Sequence, residues 1–410
     1  MAFIYILPVI LLVIFTASFI RVVMGTIRSE YSNFSIPPGV NHSGKLRIVH
    51  ASLVTTSALG KILEKIGVCS ELAFTRYVQP GRQRGPEPQL SLEDAELGRV
   101  PVRVYRPRAQ PAGPRAAAIF FHGGGWVHGS IGTYEDICRY IARESESVVV
   151  SVGYRLAPEH KYPAAYEDCL NATLHFMKNI EHYGVDPANA IVCGDSAGGN
   201  LAAAVCQTLA GRSDLPKLRA QILIYPGLQA LDFNLPSYHQ NRGVPLLFRE
   251  RAAFFALQYL NGHALHMQEV LEGSHIPPDM RLKYRKWVSP DNISEKFKVR
   301  GYKPHKPHEF NAEVFEKVKG FFDPNLCPLL AEDAVIQQLP KSFILTCEYD
   351  VLRDDGLLYK KRLEDNGVPV TWYHLEDGFH GIISLFNLYV FSFTSGKRGL
   401  DRIVEFIRGL

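Results

Sequence analysis

A formal charge of +4 over 410 residues is too small to argue for nucleic acid, and a composition 46% hydrophobic and 21% charged excludes a disordered chain. The length fits one large domain with additions. Seven cysteines without C-x-x-C spacing argue against a zinc site or a disulfide-dense scaffold, and the odd number leaves at least one thiol free unless it pairs with another chain.

The chain begins with an uncharged run, Ala2 to Ile20, which as a helix spans roughly 28 Å, close to a hydrocarbon core of about 30 Å. No Lys or Arg precedes Arg21, and "VVMG" is a poor cleavage site. An uncleaved membrane anchor over residues 1–24 is therefore expected in preference to a cleaved signal peptide. Its orientation stays open on the residues alone. Arg21 and Arg28, C-terminal of the apolar run, place the body in the cytosol by the positive-inside rule. N-x-S/T sequons at Asn33, Asn41, Asn171 and Asn292 pull the other way, because they matter only in a lumenal chain. Asn292, in the polar stretch "WVSPDNIS", leads the glycosylation candidates, with Asn33 and Asn41 beside it. Asn171 lies in "YEDCLNATLHFM", which reads as a packed helix.

Residues 25–95 are expected to form an N-terminal segment contributing to a cap, with a helix around Leu53–Ile66 and a β-like run, "FTRYV", from Phe74. A second β-like run, "VPVRVYRP", starts at Val100. From Ala116 onward a rhythm sets in: "AAAIFF", "SVVVSVGY", "AIVCGD" and "AQILIYPG" are apolar throughout, and amphipathic stretches separate them. Such strands indicate parallel βαβ units with both sheet faces covered. The rhythm breaks over 228–326 and resumes with "SFILTCEYD", "DGLLYKKRLEDNG" and "VTWYHLED", followed by two closing helices. Residues 96–227 and 327–410 thus read as one α/β domain on a mostly parallel, doubly wound sheet. Residues 228–326 read as an inserted cap, since "LLFRERAAFFALQYL" is too apolar for a solvated linker. Phe254 and Phe255 are expected on its inner face, receiving an acyl chain. The basic stretch from Arg281 to Lys306 reads as solvated surface, with contact to anionic lipid headgroups as the alternative. The H-x-x-H pairs His263/His266 and His305/His308 lack supporting ligands, so no metal is expected.

The chemistry centres on "IVCGDSAGGNLAAAV". Gly194, Asp195, Ser196, Ala197 and Gly198 form G-x-S-x-G between a strand and a small-residue helix, the arrangement of a nucleophile elbow. A serine nucleophile needs a base and an orienting acid. Asp350 ends one later strand and His380 follows the next, in the chain order serine, acid, histidine. Asp354 and Asp355 read as a helix cap, Asp377 is too near His380 to orient it, and His374 lies within a strand. Two βα units before the serine stands "HGGG", His122, Gly123, Gly124 and Gly125. There the amides of Gly123 and Gly124, with that of Ala197, would hold a tetrahedral oxyanion, and side chains would block the approach. The glycine spacing matches neither phosphate-binding pattern, and no cofactor is expected.

"HGGGW", "YRLAPEHKYPAAYEDC", "GDSAGGN", "EYDVLRDDG" and "DGFHG", in this order, resemble the hormone-sensitive lipase group of esterases. With the apolar N-terminus the chain is most similar to the arylacetamide deacetylase branch of that group. The resemblance implies an α/β-hydrolase fold with a helical cap, and a serine carboxylesterase or deacetylase acting on a lipophilic small-molecule ester or amide through Ser196, Asp350 and His380. It also implies a single-pass type II protein of the endoplasmic reticulum membrane with a lumenal body. Within "YRLAPEHKYP", Arg155, Glu159 and Pro163 read as braces for the loop beside the site. The alternative of a different class is a catalytically silent ligand-binding protein on the same fold, and the complete triad argues against it.

Overall fold

The computed structural model describes residues 2–31, 34–79, 81, 84–109, 115–306 and 308–410. Its centre is one eight-stranded sheet in the order β1-β2-β4-β3-β5-β6-β7-β8. The strands are β1 (Leu90–Leu97), β2 (Val100–Pro107), β3 (Ala117–Phe121), β4 (Val148–Val152), β5 (Ala190–Asp195), β6 (Ala220–Ile224), β7 (Lys341–Tyr349) and β8 (Val370–Phe379). The first two form an antiparallel hairpin that also joins β4 antiparallel, and the six from β3 to β8 run parallel. Every residue of β3, β4, β5 and β6 is buried, which is why these strands read as unbroken apolar runs.

Helices cover both faces. On one lie α5 (Ala164–Lys178), α6 (Ala197–Ala210) and α13 (Arg353–Asp365), and on the other α4 (Glu135–Ser145) and α14 (Thr394–Arg408). Before the sheet come α1 (Ala2–Tyr31), α2 (Ser43–Lys65) and α3 (Glu71–Val78). Between β6 and β7 the chain forms α7 (Pro236–Gln240), α8 (Arg249–Asn261), α9 (Met267–Glu272), α10 (Pro278–Tyr284), α11 (Ala312–Val318) and α12 (Asp333–Ile336). Within α1, Ile6–Arg28 is long and apolar enough to cross a membrane, and none of its most apolar window is buried.

Three expectations need correction. "FTRYV" is helical, within α3, because Ser70 caps that helix by accepting the amide of Ala73 at 3.1 Å. Local capping and packing against α2 override the β preference of a five-residue run. The boundary expected at residue 95 falls inside β1, so residues 90–95 belong to the sheet. Finally, the chain closes on short 3-10 turns at Ile382–Leu385 and Tyr389–Phe391 and one α-helix, α14, where two helices were expected.

Asp354 and Asp355 are not the helix cap expected of them, because Leu352 holds the N-cap position of α13. Both are fully buried in the first turn of α13. Asp354 accepts the amide of Ser237 at 2.7 Å, and Asp355 accepts the amide of Leu228 at 2.9 Å, Gln229 Nε2 at 3.0 Å and the Tyr238 hydroxyl at 3.2 Å. Burial pushes the Asp355 carboxyl up to about 7. The two carboxylates therefore fasten the start of the inserted segment to the helix that follows β7, fixing where that segment leaves the sheet.

Candidate active site

Ser196 sits at the turn from β5 into α6 with φ 55° and ψ −120°, a conformation that costs an L-residue roughly 1–3 kcal/mol and persists only when its surroundings impose it. They do so through glycines. A methyl group on Gly198 would stand 1.9 Å from the Phe121 carbonyl oxygen, and one on Gly194 would stand 2.2 Å from that of Gly198. The elbow is thus wedged against the end of β3, with the serine held out at its tip.

The structure brings Ser196, His380 and Asp350 together from three separate strand ends. Ser196 Oγ lies 2.8 Å from His380 Nε2, and His380 Nδ1 lies 2.8 Å from Asp350 Oδ2. The other carboxylate oxygen of Asp350 accepts the amide of Leu352 at 2.8 Å, which fixes the acid against the imidazole. Asp350 is buried, and the Tyr225 ring packs on His380 at 4.9 Å. The rival residues lie elsewhere. Asp377 accepts hydrogen bonds from Asn41, Ser395 and Arg398, while His374 bonds Thr346 and Glu348.

The glycine loop departs from expectation at its first position. The amide of Gly123 donates to Asp195 Oδ1 at 2.7 Å, and so does not face an incoming carbonyl. Among the described residues none accepts from the amides of Gly124 or Gly125, and both of these glycines line space next to Ser196. Gly125 has φ 64°, and a methyl group there would lie 2.4 Å from the Phe255 ring. The amide of Ala197 is the first of α6 and has no partner within the helix. His122 is a brace. Burial keeps its ring neutral, down at about 4, Nδ1 lies 2.8 Å from the Gly123 carbonyl, and Tyr154 donates to the His122 carbonyl at 2.6 Å.

Asp195, which has no expected role of its own, ties these parts together. It is fully enclosed and accepts from the Gly123 amide, from the Tyr134 hydroxyl at 3.0 Å and from the Tyr225 hydroxyl at 3.2 Å. One carboxylate thus links the glycine loop, the serine's own turn and the tyrosine packed against His380. Burial pushes it up to about 6, with those donors pulling it back down. The one signal available in the sequence is its place inside G-D-S-A-G.

Two cavities meet at Ser196. One, about 40 Å³, runs inward past Trp126, Asn200, Phe233 and Leu352 and is apolar. The other, about 290 Å³, is bordered by His380, Gly381 and Ser384. Its roof is formed by Leu53 and Ser57 of α2, Leu72 and Thr75 of α3, and Arg251 and Phe254 of α8. Phe255 borders both. The loop beside the site is braced as expected. Arg155 pairs with Asp168 at 2.8 Å, and Glu159 pairs with Arg76 of α3 at 2.9 Å.

A largely parallel sheet with a strained serine, a buried aspartate and a histidine just after β5, β7 and β8 has the arrangement of the α/β-hydrolase class. A family model described as alpha/beta hydrolase fold matches residues 118–277 and 289–384. Arylacetamide deacetylase-like 4 of Homo sapiens is 45% identical over 392 residues, 96% of each chain. Neutral cholesterol ester hydrolase 1 of Bos taurus is 35% identical over 92% of this chain and 95% of its own. A hyperthermophilic esterase from the archaeon Pyrobaculum calidifontis superposes with a TM-score of 0.61 at 26% identity, covering 90% of this chain and 98% of its own. The chain belongs to the α/β-hydrolase fold family and, within it, to the arylacetamide deacetylase-like group.

Proposed function

We propose that the protein is a membrane-anchored serine esterase or deacetylase that removes short acyl groups from bulky, lipophilic alcohols or amines. Ser196 Oγ attacks the acyl carbonyl as His380 Nε2 takes its proton, and Asp350 holds the imidazole in the tautomer this requires. The amides of Gly124, Gly125 and Ala197 receive the oxyanion. Collapse of the tetrahedral adduct breaks the bond to the leaving group, to which His380 returns the proton. Water, deprotonated by His380, then releases the acid and restores Ser196.

The observation that carries the substrate reading is the unequal pair of cavities. The leaving group must depart on the side from which His380 delivers a proton, and of the two only the 290 Å³ cavity is bordered by His380. The acyl group is left the inner cavity of about 40 Å³, room for an acetyl or propionyl group and little more. Of the two phenylalanines expected to receive the acyl chain, Phe255 then borders the acyl cavity and Phe254 borders only the larger space. For p-nitrophenyl esters, kcat/KM is expected to fall between acetate and hexanoate, by about 10–200-fold at the first methylene that no longer fits, roughly 1–3 kcal/mol. A rise with acyl length would assign the cavities the other way round.

We further propose a type II orientation in the endoplasmic reticulum membrane, with α1 as anchor and the body lumenal. The support is the apolar α1 and the position of two sequons at the surface, Asn41 exposed and Asn292 half-buried on a turn. Asn33 lies outside the described residues, and Asn171 is exposed but sits inside α5. Endoglycosidase is expected to increase the gel mobility of the cell-expressed protein, and Asn292→Gln to reproduce part of that shift. Digestion of the body by protease added outside sealed microsomes would reverse the orientation.

A further inference from the structure

The roof of the larger cavity is one helix thick, and its outer side is apolar. On α2, Ile48, Leu59 and Ile66 (the residue closing the helix) are exposed and recur 11 and 7 residues apart, which places them on one line of the helix. The buried Leu46, His50 and Val54 lie on the opposite side of it. Val68, between α2 and α3, is 65% exposed, and Tyr77, near the end of α3, is 82% exposed. Past α1, eight of the twelve exposed large apolar side chains among the described residues fall on residues 48–78 or on Tyr389 and Val390. Those two form a turn against α2, beside the bond from Lys45 Nζ to the Ser392 carbonyl. Scattered apolar residues need no explanation, but concentration on one element does.

What covers this face is indicated by its neighbour. α1 packs against α2, and Thr26 near its C-terminal end is buried while the apolar turns before it stay exposed. The outer stripe of α2 therefore begins where a membrane-spanning helix would leave the bilayer. Lys45 on one side and Arg47 and Lys65 on the other flank the stripe, as on helices that lie in a headgroup layer with their apolar side down.

We propose that the outer face of α2 and α3, with the turn at Tyr389 and Val390, lies in the surface of the bilayer that α1 spans, so that lipophilic substrates enter the larger cavity directly from the lipid. The proposal rests on the reading of α1 as an anchor and extends it to the route of the substrate. Leu53, Ser57, Leu72 and Thr75 line the cavity on the inner side of the same two helices, so a substrate crossing this roof arrives beside Ser196 and His380.

The test uses the full-length chain reconstituted in phosphatidylcholine vesicles. Leu59→Trp is expected to add fluorescence that acyl-brominated phosphatidylcholine quenches, whereas Leu282→Trp, at an exposed site on α10, adds fluorescence that it does not. Leu59→Glu with Ile66→Glu is expected to lower kcat/KM about tenfold for hexadecyl acetate dissolved in the vesicles, and to leave p-nitrophenyl acetate in water within about twofold. Vesicle-bound Leu59→Trp protein whose added fluorescence escapes quenching would overturn the docking face and keep the anchor, and concentration-dependent self-association at that face would assign it to a second copy. Protein that fails to float with the vesicles would overturn the anchor and the docking face together. A general loss on both substrates would show a structural role and also overturn the proposal.

Discussion

Ser196→Ala is expected to lower kcat/KM for p-nitrophenyl acetate by on the order of 10⁴–10⁶, with no change in melting temperature large enough to account for it. The hydroxyl bonds to His380, and its removal leaves the imidazole still held by Asp350. His380→Ala should cost nearly as much, and the double variant little more, because the members of such a relay act as one unit. Asp350→Asn should fall about 10⁴-fold, since an amide facing Nδ1 favours the wrong tautomer. Additive losses in the double variant would mean that serine and histidine serve separate steps. The geometry at 2.8 Å on either side of the imidazole gives no room for that.

The second large effect falls on Asp195. Asp195→Asn is expected to cut kcat by about 10–10²-fold with KM nearly unchanged, because charge-assisted bonds that hold the glycine loop and Tyr225 are replaced by weaker neutral ones. Its effect on stability should run the other way, and with pH. The folded value of about 6 lies above the ordinary carboxyl value of 3.8, so ionisation of this carboxylate opposes folding. The stability it contributes is fully present below about pH 4 and is lost as pH rises through about 6. The asparagine variant is spared that loss. Its melting temperature should therefore gain on the parent by several degrees between about pH 4 and pH 7. A gap that stays constant across this range would mean that Asp195 is not a strained, buried anion. A carboxylate that lowers stability while it holds the glycine loop beside Ser196 fits the trade common at functional positions.

The sheet from β3 to β8 was legible because its strands are buried on both faces and therefore uniformly apolar. That Ser196, Asp350 and His380 would come together was legible because each stands just after a strand of that sheet. The edge was not. β1, "LSLEDAEL", carries three acidic residues and looks like a loop, yet at the rim of a sheet charged side chains are suited to the open side of the strand. "FTRYV" misled in the opposite sense, because a cap at Ser70 and packing against α2 decide a run that short. At the site, the glycines were recognisable as a group, but which amide is free depends on Asp195 lying beneath Gly123, a contact across 72 positions of chain that no local pattern announces. The same holds for the buried Asp354 and Asp355. As first-turn acids they resemble caps, and only the return of residues 228–238 onto α13 gives them their partners. Cavity size was out of reach as well, since Trp126, Phe233 and Phe255 come together from a loop and from the inserted segment.

The most direct test of Ser196 as the nucleophile of an ester hydrolase is peptide mass spectrometry after treatment of the full-length, detergent-solubilised protein with an alkyl fluorophosphonate. Trypsin releases Asn179–Arg212 intact, and Ser196 is the one serine within it. The phosphonyl mass is predicted on that peptide, at Ser196, in proportion to the activity lost, and its appearance should be blocked by prior incubation with a bulky aryl acetate. Complete inhibition with the adduct on another peptide, or an adduct that forms equally in His380→Ala, would contradict the assignment.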